Sequence, residues 1–537
     1  MFFPCLRWQI QKWEETKPIM PNTAIVKFIE SLDSNLPRSI IFQKNIPLLA
    51  EAFHAEEMRQ ILQKALFGAD HERYSIVSCA PGKALYLPDH IINMQYQLRI
   101  LDKEKDQTST TLVNARLFPD VSSCRTYIND MLSPIVARMN DRPEIKPFTS
   151  PVAIVEPLHM ALSVFPIDGM VPTLVEATDP DKIASILAKT LPEVLSGEFL
   201  IQDVHLDLAH YGRFERCVLR YSIDGTDVAT QAPRTMTVYG KVDAEGLGSL
   251  TISILDALRE RLKEPEVQYR FRIPHALGYY PDLKLLMMDA LPGKPFFKEL
   301  LKTWSGKNGQ ARENGRASFQ SEMTLEQAIR NCALIAATLH DSDIKLGPPK
   351  TLEMLFAQLR DETKALNRTF PELRALIESW IDETVAFAQT YPAMSLCFSH
   401  GDFTYTQLIF DESGGGLVDF DSICQAEPAH DLGHYLAYQR LNIIKDQDPN
   451  FPFAPEAIEY LCDLFLDTYI DVSKTWIADE GFLRGRVAIY ELISLIRLTL
   501  HSWEKMKGSR LRKTILLLEE RVECQRQIHL SLKDQTS

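Results

Sequence analysis

Three polar side chains at fixed spacing raise the chemical question. Asp402 closes the run His400-Gly401-Asp402, Gln407 follows five residues later, and Asp419 lies seventeen beyond Asp402. Two carboxylates and an amide in this order suit phosphoryl transfer. One carboxylate accepts the proton of an attacking hydroxyl, while an amide oxygen and a second carboxylate hold Mg²⁺ on nucleotide phosphates. The glycine-rich stretch at 411–416 between them lacks the Lys-Ser/Thr that ends a phosphate-cradling P-loop, so it reads as a hairpin turn.

The elements that must position these groups are short. A strand leads to the HisGlyAsp loop, a second covers Leu408 to Phe410, and a third ends at Asp419, so the hairpin brings all three residues to neighbouring strand ends. Upstream, 217–223 reads as a strand running into an AspGly turn at Asp224 and Gly225, followed by a strand that carries Lys241. A helix from about Ser249 to Leu262 and a strand ending at Asp289 follow. Residues 305–321 are polar and glycine-rich, the composition of a flexible loop. From Thr324, at capping-box spacing from Gln327, helical periodicity runs to the C-terminus, with Pro455 in a first turn and a long helix from Gly481 to Trp503.

HisGlyAsp with an amide five residues on parallels the kinase catalytic loop, in which HisArgAsp precedes an Asn at the same spacing and AspPheGly follows. More closely, the sequence resembles the aminoglycoside phosphotransferase and choline kinase family, whose signature is HisGlyAsp with Asn five residues on. The downstream motifs appear here as ValAspPhe at 418–420 and GluProAlaHisAspLeuGly at 427–433. The resemblance covers roughly Leu187 to the C-terminus and implies a protein-kinase-like two-lobe α+β fold using ATP and Mg²⁺ on a small-molecule hydroxyl. It implies Asp402 as catalytic base, His400 as a residue orienting its loop, Asp419 and Gln407 as metal ligands, and Asp431 as structural. Lys241 is implied as the nucleotide lysine, and Met287 to Leu291, with Asp289 between them, as the hinge for the base. Gln407 departs from the family's Asn, and the extra methylene moves its oxygen by about 1.5 Å. The carboxylate partner of Lys241 is open, with Asp256, Glu260 and Glu264 on the following helix as candidates.

A weak repeat precedes this module. Ile61 to Lys64 answers Ile186 to Lys189, Arg99 answers Arg220, 112–116 answers 237–241, and Pro151 to Gly169 answers Pro274 to Gly293. The expected organisation is a leader at 1–40, a degenerate duplicate of the small lobe at 41–180, a kinase-like small lobe at 181–300, and a helical lobe with the catalytic hairpin at 301–537.

Of the 537 residues 45% are hydrophobic and 24% charged, the composition of a globular chain with more than one core. Its 58 basic against 72 acidic residues, net −14, argue against a nucleic-acid or membrane-surface role. Nine dilute cysteines and the lack of a long apolar run point to a reduced, cytoplasmic protein without membrane span or secretory signal. Asp421 reads equally as a metal ligand or a turn cap, and His340, His430 and His434 as helix-associated, hydrogen-bonded residues rather than a zinc site. A small-molecule substrate is expected, with an amino alcohol, an aminoglycoside and a sugar all open. The alternative to an enzyme is a catalytically impaired scaffold.

Overall fold

The computed structural model describes residues 47–536 apart from 69–70, 88–89, 140–141, 213, 296, 305–322, 368, 412–413, 447–452, 476 and 478. The leader at 1–40 and the loop at 305–321 therefore lie outside the described residues. The expected α+β class holds, with antiparallel sheets first and a helical lobe after them.

The first sheet contains β1 (Tyr74–Tyr86), β2 (Ile92–Asp102), β3 (Gln107–Leu117), β4 (Val152–Val155) and β5 (Met160–Val164), in the order β1-β2-β3-β5-β4. The second contains β6 (Phe199–Gly212), β7 (Arg216–Asp227), β8 (Pro233–Asp243), β9 (Ala276–Tyr280) and β10 (Leu285–Asp289), in the order β6-β7-β8-β10-β9. The two ladders share one register. Asn93 pairs with Leu85 and Arg116, and Arg116 with Ala161; 125 positions later Val218 pairs with His210 and Lys241, and Lys241 with Leu286. Each sheet even closes its last hairpin alike. A single 3-10 turn, Glu156–Leu158 or Pro281–Leu283, is followed by a left-handed residue, His159 (φ 47°) or Lys284 (φ 48°).

Two expectations need correction here. The match of Arg99 with Arg220 is displaced by four residues, because the register sets Gln95, not Arg99, against Arg220. A slip of four preserves the two-residue alternation of a strand, so the hydrophobic pattern could not reveal it. The AspGly at 224–225 makes no turn: β7 runs through it to Asp227. Gly225 is there because a Cβ would lie 2.5 Å from the Phe199 ring and closer still to the Leu200 carbonyl, so its glycine serves close packing.

Alternation decides what each sheet buries. Met94, Tyr96 and Leu98 of β2 join the core with Met58, Leu62 and Leu66 of the helix Ala55–Phe67, leaving Asn93 and Gln95 on the opposite face. On β7, Cys217, Leu219 and Tyr221 pack with Ile183 and Leu187 of the helix Pro180–Leu187. The helix Gly248–Arg261 crosses between β8 and β9.

In the helical lobe Thr324 caps the helix Leu325–His340 through the expected box with Gln327, and Pro455 opens the helix Pro455–Ser473. The helix Glu480–Glu504 buries Leu483, Val487, Leu495 and Trp503 along its length, and Tyr86 of β1 packs on the Trp503 ring at 5.0 Å. Among the described residues no helix is long and apolar enough to cross a membrane, and the eight described cysteines are all free.

Candidate active site

The HisGlyAsp loop leaves β12 (Cys397–Ser399), which pairs with β15 (Cys424–Ala426). Gly401 must be glycine: its φ is 78°, and a Cβ would collide with the Ser422 carbonyl oxygen at 1.9 Å. The loop is anchored from below by Asp431 in the first turn of the helix Pro428–Asp446. The Asp431 carboxylate accepts the backbone N–H of His400 at 2.6 Å and of Gly401 at 2.9 Å, and faces His340 Nε2 at 3.3 Å. Burial opposes its ionisation, but hydrogen bonds from His340 and His430 outweigh that and hold it well below the usual carboxylate range. His340 is itself held by the Tyr469 hydroxyl at 2.7 Å. Asp431 is thus a buried anchor, and His340 and His430 are its hydrogen-bonded companions. Among the described residues no group of three or more His, Cys, Asp or Glu forms a metal cluster.

His400 reaches the Val418 carbonyl through Nε2 at 3.2 Å and lies 5.4 Å from the Phe420 ring, tying the loop to the far strand of the hairpin. That hairpin is β13 (Leu408–Asp411) against β14 (Gly414–Leu417), with the short β11 (Lys294–Pro295) on its other edge. Arg272 fixes it to the small lobe by a two-pronged ion pair with Asp411, at 2.7 and 2.9 Å, and by backbone bonds to Gly415 and Leu417.

Asp402, Gln407 and Asp419 meet as the spacing demands. Asp402 Oδ1 faces His434 Nε2 at 2.9 Å, and Gln407 Nε2 lies 3.3 Å from Asp402 Oδ2 and 3.4 Å from Asp419 Oδ2. Gln407 sits on the 3-10 turn Tyr405–Gln407, with its N–H on Thr404 O at 3.0 Å and its carbonyl accepting from Val418 N at 2.9 Å. Asp419 has left-handed dihedrals (φ 68°, ψ 65°), rare outside glycine and characteristic of a residue held for its side-chain direction. Burial opposes charge on Asp402, yet the His434 hydrogen bond, with His434 and His400 charge behind it, holds its carboxyl far below the ordinary range.

Lys241 crosses from β8 to this hairpin. Its Nζ donates to Asp419 Oδ1 at 2.7 Å and contacts Asp421 Oδ2, and Arg216 Nη1 reaches the same Asp421 oxygen at 3.0 Å. Burial works against the ammonium, but the two carboxylates prevail and raise Lys241 above its ordinary value. Of the two acids, Asp419 is lowered, with burial opposing and Lys241 prevailing, whereas burial and the neighbouring Asp419 raise Asp421. The acids expected as partners of Lys241 are spent locally: Asp256 on Arg259 at 3.0 Å, Glu260 on Lys263 at 2.7 Å, and Glu264, which lies past the helix end at Arg261 and not on the helix, on Arg261. Asp421 is therefore a partner of Lys241.

Met287 to Leu291, expected to receive the base, run from the interior of β10 to the hairpin. Met287 is fully buried inside β10, paired with Gly240 and Gly278. Asp289 gives its N–H to His275 O at 3.0 Å and caps the His275 N–H with its side chain at 2.6 Å. Leu291 lies beyond the strand, against Gly416 of the hairpin. One neighbour of the site, Arg216, escaped the sequence reading, and another, His434, was read as a hydrogen-bonded helix residue without its partner Asp402. His434 stands three residues after Asp431, on the same helix face, and that spacing was the available signal. Arg216 had none, since only the β6–β7 turn brings it to Asp421.

Among solved structures, the choline kinase from Cryptosporidium parvum Iowa II superposes with a TM-score of 0.42 at 15% identity over 66% of this chain and 97% of that one. The GDP complex of wild-type aminoglycoside 2'-phosphotransferase-IIIa gives 0.40 at 11% identity over 64% and 99%. A choline/ethanolamine kinase family protein from Mesorhizobium loti gives 0.40 at 14% over 64% and 94%. No curated protein matches the chain. Residues 301–454, the stretch that holds Asp402, Gln407, Asp419 and Asp431, match the phosphotransferase enzyme family.

Proposed function

We propose that this chain transfers the γ-phosphoryl group of ATP to a hydroxyl of a small molecule. The observation that carries the reading is the convergence of Asp402, Gln407, Asp419 and Lys241 from two lobes onto one space. The residues suit Mg²⁺: the Gln407 amide lies within 3.4 Å of two carboxylates, and a turn of that amide presents a third hard oxygen. Asp419 and Gln407 would hold the ion, which supplies neutralisation of phosphate charge. Lys241 orients the phosphates, and backbone at Leu291 receives the base.

In the transfer itself the acceptor oxygen bonds to the γ-phosphorus, the bond from that phosphorus to the bridging oxygen breaks, and ADP leaves. The acceptor's proton passes to Asp402. With its carboxyl held so low by His434, Asp402 is a weak base, which suits a loose transition state in which the proton moves late. His434 orients Asp402, His400 and Asp431 shape its loop, and positioning and charge do most of the catalysis.

A competing reading, a scaffold that binds nucleotide without transfer, draws on Lys241 being closed onto Asp419 and Asp421. Steady ADP release with a hydroxylated acceptor decides between them. Asp402→Asn should keep nucleotide affinity within a few-fold and lower turnover by at least ~10²; an unchanged rate removes Asp402 from the reaction. We also infer that the first sheet, within 41–180, is a degenerate copy of the small lobe at 181–300, a reading supported by the common strand order and the constant 125-residue displacement of the paired residues.

A further inference from the structure

We propose that His210, on the second sheet, is a phosphate-binding residue of the nucleotide site, donating a ring N–H to the polyphosphate that Lys241 meets from the other side. The inference rests on the phosphotransferase reading and adds a residue to its nucleotide site.

The ladder puts His210 there. His210 pairs with Val218, and Val218 with Lys241, so the three form one row across β6, β7 and β8. Residues directly opposite one another in antiparallel strands share a face. Lys241 shows which face this is, because its Nζ reaches Asp419 Oδ1 at 2.7 Å. His210 therefore stands on the cleft face, two strand spacings or about 10 Å from Lys241 along the sheet, with the short apolar Val218 between them.

One irregularity in β6 brings this about. Val204, Leu206 and Leu208 pair with Ile223, Tyr221 and Leu219, which fill the core of this sheet. Strict alternation would send His210 to that same core face. Between Leu208 and His210 the register shifts and Ala209 is left unpaired, so the strand resumes with His210 toward the cleft and Tyr211 buried in the core. A bulge is a device that re-aims a side chain beside a functional site.

The surroundings leave the ring unspent. A Cβ at Gly212 would lie 2.7 Å from His210 Nε2, so glycine there makes room for the ring to lean along the strand toward the β6–β7 turn. His210 is exposed, and among the described residues its ring has no hydrogen-bond or ion-pair partner. Lys241 and Arg216 on the same face are instead closed onto Asp419 and Asp421. The backbone beside His210 is fixed by the first sheet: Lys83 Nζ donates to the Tyr211 carbonyl at 2.6 Å, and Asn114 to the Tyr211 hydroxyl at 3.1 Å. A free donor on an anchored strand, facing the cleft beside the nucleotide lysine, suits a phosphate oxygen. In the first sheet the same row reads Leu85, Asn93 and Arg116, so an apolar chain stands where the imidazole does.

The test measures equilibrium binding of adenosine, ADP and ATP, each with Mg²⁺, to the full-length wild type, His210→Ala and His210→Gln, by competition against a fluorescent ATP analogue. His210→Ala should weaken ADP and ATP by ~10-fold, the scale of one hydrogen bond to a charged group, and leave adenosine within about two-fold. His210→Gln keeps an N–H donor and should recover part of the loss. The adenosine arm separates a lost phosphate contact from a damaged fold, since a disturbed sheet weakens all three ligands. Unchanged ADP and ATP affinity in His210→Ala, or an equal loss for adenosine and ATP, would overturn the inference. ADP release with hydroxylated acceptors, followed in the same proteins, keeps the two readings apart. His210-dependent nucleotide binding without transfer to any acceptor would sink the phosphotransferase reading and keep this site. Turnover with nucleotide affinity indifferent to His210 would sink the site and keep the reaction, and a wild type that binds no nucleotide would sink both.

Discussion

The two sheets share strand order and register, yet the clefts beside them differ in kind. Around Lys241 the paired residues on the same face are Val218 and Leu286, apolar walls beside one cation. The corresponding positions around Arg116 are Asn93 and Ala161, and the next row carries Gln95, Asn114 and Ser163 where the second sheet has Arg220, Tyr239 and Met288. Two ladders in one register are thus compatible with opposite chemistry, since the ladder is set by main-chain bonds and the alternation pattern, while the cleft is set by a handful of outward side chains. Neither the Nε nor the Nη1 of Arg116 finds a hydrogen-bond partner among the described residues. Lys241 instead closes on Asp419 and Asp421.

The first lobe is not idle toward the second. Lys83 of β1 donates to the Tyr211 carbonyl at 2.6 Å, and Asn114 donates to the Tyr211 hydroxyl at 3.1 Å. Phe214, at the tip of the β6–β7 turn with φ 61°, is 6% exposed and forms part of the wall of the first lobe's polar cavity, beside Arg116 and Asp168. The same turn places Arg216 on Asp421. The first lobe therefore grips the turn that carries Arg216 to Asp421.

The sharpest way to break the comparison is to remove both cations. Lys241→Ala should cost ~10² or more in kcat/KM, the scale of losing one preorganised charge at the reacting group. Arg116→Ala should stay within a few-fold. Equal losses in two folded variants, measured by ADP release, would make the first cleft part of the active site. Next in size is Gln407. If its reach is matched to Asp402 and Asp419, Gln407→Asn should shift the magnesium dependence of turnover by several-fold, and Gln407→Ala should shift it more. Three superimposable magnesium titrations would take Gln407 out of the site. Smaller again is Asn114→Val, which frees the Tyr211 hydroxyl without touching the catalytic hairpin. A rise of a few-fold in KM for ATP with kcat nearly constant is expected if the grip on the β6–β7 turn matters, and an unchanged KM would show that Lys83 and Phe214 suffice.

What the sequence disclosed was local. The HisGlyAsp loop, the hairpin, the capping box at Thr324 and the first-turn Pro455 are each written within a few residues, and each stands where expected. The strand β6 and the pairing register common to the two sheets were missed or misplaced, because a long half-exposed strand shows little hydrophobic contrast and an even slip leaves alternation intact. Partners of the site were harder still. Lys241 finds acids 178 and 180 positions away, Asp419 and Asp421. The grip of Asn114 and Lys83 on Tyr211 joins residues about a hundred positions apart or more. No spacing rule reaches so far, since such contacts are decided by which faces the lobes present to each other.

The smallest effect concerns Asp168, on the loop after β5, and it tests whether the first cleft is a dry polar interior. Its Oδ1 accepts the backbone N–H groups of Met170 at 2.6 Å and Val171 at 3.1 Å, and Asn114 Nδ2 approaches Oδ2 at 3.4 Å. Burial pushes its carboxyl up to about 6 from an ordinary 3.8, and those backbone bonds and the charge of Arg116 only partly offset it. The titratable and charged groups facing it are Arg116 on β3, Tyr127 on the following helix and Cys217 on β7. Because the folded value is raised, the contribution of Asp168 to stability is fully present below about pH 4 and is lost as pH rises through about 6, where the folded chain must ionise a buried group that the unfolded chain has already ionised in water. A shift of about two units corresponds to at most ~3 kcal/mol. Asp168→Asn keeps the acceptor for both backbone N–H groups and removes the titration. Its stability relative to wild type, followed by denaturant midpoints from pH 4 to 7, should therefore climb with pH and level off above 6. A difference that stays flat across that range would mean that water reaches Asp168, and that the first cleft is as open as the second.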